Sequence, residues 1–325
     1  MSEQDVFTGY SHLLQGVKST SGENNNKHIT LQMANSIALQ NTFRLLPEYE
    51  RVVRESFGAT PFPVDFSRHA HEATASINAW VAQQTHNKVE KLFKEDLDAE
   101  SALVLLNALY FKGAWQYRFN ASQTVNAPFR YELPNVQASV PTMTLRGTLR
   151  YAHFDDGDLV ELPYADSSLS MLIYLPDIRW VKDYQTIAGQ FERYGGHASV
   201  KIAERLSALR NTTVRLHLPR FSITGDYSSL NEPLQNLGIR TAFSSARADL
   251  SRINGHPNLF LSKVAHKAVI EVNEEGSEAA AATGADLHLK SLPIVQEFNA
   301  NRPFLFLIRD NLHQVTLFAG VVNKP

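Results

Sequence analysis

The chain has 325 residues, of which 43% are hydrophobic and 20% charged, so it is long enough to bury a large core and is not disordered. A formal net charge of -2 removes any electrostatic case for nucleic acid or an anionic membrane surface as the main partner, while a protein partner stays open. With no cysteine, disulfides, thiolate metal sites and a cysteine nucleophile are excluded.

The first residues, MSEQDVFTGYSHLLQG, lack the basic segment, apolar run and small-residue cleavage site of a secretory signal, and no apolar stretch is long enough to span a bilayer. Within 4–17, Val6, Tyr10, Leu13 and Leu14 recur at helical spacing, and a polar, Asn-rich loop follows at 21–27. A strand is expected over 29–39. A second helix is predicted over 70–93 from Ile77, Trp80 and Val81 on one face, although Gln84 interrupts that face. The nearly unbroken apolar run 102–111 (ALVLLNALYF) has the character of a strand covered on both sides, in mid-sheet.

From 126 to 176 the pattern is of successive strands, with turns at 155–157 and 165–167 and an apolar strand at 169–175. Helix is expected over 180–209. Strands are expected over 214–223, 260–272 and 304–322, with Pro219 marking a bend or an edge. Helices and strands without regular βαβ alternation imply an α+β fold with large, mainly antiparallel sheets, in one domain spanning 1–325. There are no internal repeats.

The unusual segment is 274–293, EEGSEAAAATGADLHLKSLP, between two expected strands and almost without residues to anchor it in a core. Composition alone fits an Ala-rich helix or a linker. Parity adds another reading. Ser277, Ala279, Ala281, Thr283, Ala285, Leu287 and Leu289 are all small or apolar, whereas the alternate set from Glu278 to Lys290 holds every charged or titratable side chain between 277 and 290. Period-2 segregation with small inward residues is what a strand needs to enter an already packed sheet.

This segment resembles the hinge and reactive loop of serpins, with Glu274, Glu275, Gly276, Ser277, Glu278 and the run Ala279, Ala280, Ala281, Ala282 in place. Its approach LSKVAHKAVIEVN and the closing FNANRPFLFLIRDN and LFAGVVNKP resemble the family too, as do LQMANSIAL, INAWVAQQTHNKV, LVLLNALYFKGAW, VELPYADSSLSMLIYLP and LHLPRFSITGDYSSLNEPLQNLGI, in family order. The resemblance covers essentially the whole chain. It implies a serpin-like fold with an exposed reactive-centre loop at about 274–297, no cofactor, no metal and no catalytic residue of its own.

It also implies a suicide-substrate inhibitor of serine proteases: the protease cleaves the loop, becomes ester-linked to it and is carried away as the loop inserts into the central sheet. Counting from Gly276 as serpin loops count, and back from Phe298, places the scissile bond between Lys290 and Ser291. Lys290 suits a pocket with a carboxylate at its base, as in trypsin-like proteases. By the same resemblance Asn107, Trp115 and His266 lie where serpins control opening of the central sheet; by residue type alone they are core and structural residues. In some members the residue matching Glu274 pairs with a lysine on a neighbouring strand, and here the segment PTMTLRG offers Arg146, two positions displaced.

The family usually begins with further helices and a strand, including a Ser-Pro segment, before the point matched by residue 1. Their absence would leave apolar surface favouring dimerisation or aggregation. Sequons at Asn120 and Asn211 favour an extracellular protein, and a glycosaminoglycan partner stays open.

Among enzymes, a hydrolase finds no Gly-x-Ser-x-Gly elbow, HExxH, P-loop or Rossmann fingerprint, and the His69-Ala70-His71-Glu72 cluster has the character of a solvated face. The serious rival is a non-inhibitory serpin acting as carrier, chaperone or protease substrate. Small hinge residues favour the inhibitor.

Overall fold

A computed structural model describes residues 2–20, 28–132, 136–165, 168–177, 179, 198–275 and 295–325. The chain divides into two compact units, one formed by 1–21, 30–111 and 223–270, the other by 22–29, 112–222 and 271–325.

The first unit is built on a five-stranded sheet in the order β2-β1-β3-β10-β9, from β1 (Ile29–Gln40), β2 (Phe62–Val64), β3 (Leu103–Gly113), β9 (Phe221–Tyr227) and β10 (Leu261–Val272). The run at 102–111 is the central strand β3, as expected. Its alternate residues Val104, Leu106 and Ala108 join Phe66, Ile77, Leu92 and Phe93 in one core cluster, while Leu103 joins Ile37, Leu39 and Val53 in another. Two-sided burial is why the sequence shows no polar alternation there. Each fully buried side chain such as Phe66 or Ile77 contributes roughly 1.5–3 kcal/mol of transfer free energy.

Helix α1 (Glu3–Thr20) occupies the first predicted helical stretch. Helix α2 (Pro47–Phe57) was not apparent from hydrophobic spacing. Its signals are Pro47 inside the start and Gly58 just past the end, where the left-handed Gly58 (φ 60°) donates its N–H to the Arg54 carbonyl.

Helix α3 (Phe66–Gln84) corrects the predicted 70–93. Asp65 caps its first turn by accepting the Arg68 N–H, and a kink at His69 makes the helix regular only afterwards. It stops at Gln84 because the Thr85 hydroxyl donates to the Val81 carbonyl and accepts from the Val89 N–H, followed by His86 and Asn87 at positive φ. Leu92 and Phe93, which prolong the apolar pattern, are buried from a non-helical segment whose N–H groups donate to the Asn78 side chain.

The second unit holds an eight-stranded sheet in the order β11-β8-β5-β6-β7-β12-β13, with β4 also paired to β5. Its strands are β4 (Val125–Glu132), β5 (Val136–Phe154), β6 (Gly157–Pro163), β7 (Leu169–Pro176), β8 (Arg210–Pro219), β11 (Gln296–Asn299), β12 (Phe304–Asp310) and β13 (Val315–Val322). The expected turn at 155–157 joins β5 to β6. The expected strand at 304–322 is the hairpin β12–β13, closed by a turn at 311–314.

The strand expected at 214–223 breaks after Pro219, and Arg220 separates β8 from β9, which belong to different sheets. In the second unit the strands pair antiparallel except β8–β11, which is parallel, and in the first unit β1–β2 is parallel. Of the helix expected over 180–209, α4 (Ala198–Ala208) is described; 180–197 and most of the 165–167 turn lie outside the described residues. The short helices α5 (Asn231–Asn236) and α6 (Ser251–Asn254) complete the first unit.

Candidate functional site

The long connection from β10 to β11 begins at Asn273, and its first residues are held firmly within the second unit. Trp115, 1% exposed, donates its indole N–H to the Asn273 carbonyl at 2.8 Å, and its backbone N–H donates to the Glu275 carbonyl at 2.9 Å. The indole is itself fixed: it stacks on Tyr164 at 4.4 Å between centroids and meets Phe119 edge-on at 6.2 Å. A buried Trp thus serves as a post for the start of the loop.

Glu274 is buried and receives two donors, the Thr124 hydroxyl at 2.7 Å and the Arg220 guanidinium. Burial raises its pKa, but the hydrogen bonds from Arg220 and Thr124 outweigh that and hold the carboxyl below its ordinary value. Lys112 pairs with Glu275 at 2.8 Å. Glu274 is therefore partnered by Arg220, not by Arg146, which lies in β5 opposite Arg215. Sequence reasoning missed Arg220; the available signal was a lone basic residue in the break that Pro219 imposes between two strand patterns.

In the first unit Asn107 of β3 and His266 of β10 meet directly. The His266 Nδ1–H donates to Asn107 Oδ1, and the Asn107 amide donates to Asn35 Oδ1 on β1. Since β1, β3 and β10 are neighbours in the sheet, this row of side chains ties three strands together. Burial pushes the His266 pKa down and favours the neutral ring. Tyr227 lies nearly parallel to that ring, 6.1 Å away. Asn35, a polar side chain midway along β1, and Tyr227, an exposed aromatic, were also missed.

Gly276, Ser277, Glu278, Ala279, Ala280, Ala281 and Ala282 of the hinge, and Lys290 and Ser291, lie outside the described residues. Asn120 and Asn211 are both exposed. Asn120 accepts the Ser122 N–H and hydroxyl, and Asn211 lies on β8 opposite Arg150.

The family model for Serpin (serine protease inhibitor) matches residues 1–325. The chain belongs to the serpin family. Iripin-2 of Ixodes ricinus is 39% identical over all of this chain and 78% of its own, and the leukocyte elastase inhibitor of Xenopus laevis is 37% identical over all of this chain and 86% of its own. Among solved structures, Arabidopsis AtSerpin1 in its native stressed conformation is similar with a TM-score of 0.85 and 26% identity, covering all of this chain and 83% of that one. Uncleaved ovalbumin gives 0.82 and 28%, covering 98% and 83%. This serpin therefore has the mixed-sheet fold expected from its sequence and belongs to a family of protease inhibitors.

Proposed function

We propose that this serpin, as one domain over 1–325, inhibits trypsin-like serine proteases as a suicide substrate with Lys290-Ser291 as bait. The observation that carries the reading is the hinge: Ser277 and Ala279 to Ala282 follow directly on an anchored base at Asn273 to Glu275, so small side chains begin where a strand would enter the sheet. Relatives named leukocyte elastase inhibitor and intracellular coagulation inhibitor 1 support inhibition rather than carriage. Lys290 favours a trypsin-like target over an elastase.

The protease serine Oγ attacks the Lys290 carbonyl, an ester forms, and the Ser291 amine leaves with the proton delivered by the protease histidine. Insertion of the freed loop then outruns hydrolysis of the ester. The chain is consumed as an inhibitor and turns nothing over. We also propose that it acts outside the cell, with Asn120 and Asn211 as glycan acceptors.

The test is incubation with trypsin. An SDS-stable complex and an N-terminus at Ser291 are expected. Cleavage after Lys290 with no such complex would leave the carrier or substrate reading in its place.

A further inference from the structure

One rung of the second unit's sheet carries two like charges face to face. Arg146 of β5 lies directly opposite Arg215 of β8, an arrangement that weakens an antiparallel pair unless a negative group offsets it. Glu297 of β11 supplies one carboxylate, but it is engaged by Arg215 at 2.6 Å and lies 3.5 Å from His217 Nε2. Arg146 is exposed and has no ion pair to a described residue. The flanking rungs on the same face, Thr144–His217 and Thr148–Thr213, add hydroxyl and imidazole groups and no acid. This face therefore keeps a positive charge in excess at Arg146.

Its place in the chain narrows the partner. After the loop the chain enters β11, where Glu297 pairs in register with Arg215. Ser291 precedes Gln296 by five residues, at most about 18 Å of extended chain, and Arg146 lies two strands from β11, about 10 Å. A protease domain of about 220 residues has a radius of gyration of about 17 Å, so one seated on Lys290-Ser291 is large enough to reach this face. We propose that Arg146 and Arg215, the latter held by Glu297, form a second docking surface for the protease, fitting one with a carboxylate beside its cleft. The surface selects among trypsin-like enzymes that share one primary pocket. It rests on the reading of Lys290-Ser291 as bait. A charge at the rim of a contact acts chiefly on the rate of association and is screened by salt.

Trypsin whose nucleophilic serine is replaced by alanine isolates docking from trapping. With the full chain, association with an anionic trypsin is expected to be about fivefold faster than with a cationic one at low salt, and the difference should shrink as salt rises. Arg146→Glu should abolish the preference. Arg68→Glu, the same change of net charge at an exposed position on α3, should keep it.

Equal rates for the two trypsins, an unchanged preference in Arg146→Glu, or an equal loss in Arg68→Glu overturns the proposal. Arg146→Gln, which removes the charge without reversing it, decides the matter even if Arg146→Glu does not fold: a reduced preference supports the surface, and the parent's preference overturns it. Failure of the inhibitory reading is a different result. Active trypsin would then give no SDS-stable complex, while the inactive enzyme would keep a preference that depends on Arg146, which supports the docking surface.

Discussion

The carboxylate of Glu274 is the residue on which the start of the loop depends, because two donors converge on it in a buried position. Removing it strands the Arg220 charge and the Thr124 hydroxyl, so Glu274→Ala should cost about 1–3 kcal/mol in denaturant unfolding. The Arg220 side chain is 48% exposed, and water screens the pair. A Glu274→Ala/Arg220→Ala cycle should therefore show a coupling of only about 1 kcal/mol, and full additivity would mean that the pair contributes nothing.

The same carboxyl titrates below its ordinary 4.5, so its contribution is present above that pH and is lost as pH falls through its native value. His266 acts in a higher window. Its native pKa lies below the ordinary 6.5, so the unfolded chain binds the proton first and stability falls as pH drops through and below that value. His266→Gln keeps a donor for Asn107 but cannot titrate there. Its unfolding midpoint should change less between pH 7.5 and 5.5 than that of the parent, and equal changes would exclude His266 as the source.

At the scale of elements, the most legible features were those with strong local causes. The β3 run, the 155–157 turn and the break at Pro219 each depend on a few adjacent residues, and each is present. The end of α3 was not legible, since it is set by Asn78 and Thr85 bonding to backbone groups 4 to 15 residues away, while Leu92 and Phe93 kept up an apolar pattern for a tertiary reason. The Glu274 partner was hidden likewise, because it lies 54 residues from its carboxylate.

The β5–β6 turn offers a direct test of a local cause. Gly157 has φ 155°, and a Cβ there would sit 2.5 Å from the Leu175 carbonyl oxygen and 2.9 Å from Pro176 Cα. Both obstacles are backbone and cannot rotate away. Gly157→Ala should cost at least about 2 kcal/mol from strain and overpacking combined, seen as a lowered urea midpoint with the slope unchanged. Gly147→Ala, which meets nothing within 4 Å, is the control.

For the molecule as a whole, the fold and family were legible because the resemblance runs from end to end, whereas the proposed action of the loop requires a conformational change of which the period-2 pattern of 277–290 is only a local trace. The sharpest prediction therefore separates cleavage from insertion. Ser277 heads the small, apolar set of the loop's period-2 pattern, so insertion as proposed would bury whatever side chain stands there. An arginine at that position would lose its hydration with no carboxylate supplied in return, a penalty of several kcal/mol on the inserted state.

In the proposed mechanism cleavage after Lys290 precedes insertion, so it should proceed in Ser277→Arg at nearly the parent rate. The acyl ester then hydrolyses before the loop can enter, so trypsin is released active and the SDS-stable complex is lost. Lys290→Ala should behave in the opposite way, failing at recognition, with neither cleavage at 290 nor a complex. A Ser277→Arg protein that still traps trypsin as efficiently as its parent would show that Ser277 does not enter the sheet, and that the inhibition, if present, does not work by insertion from this hinge.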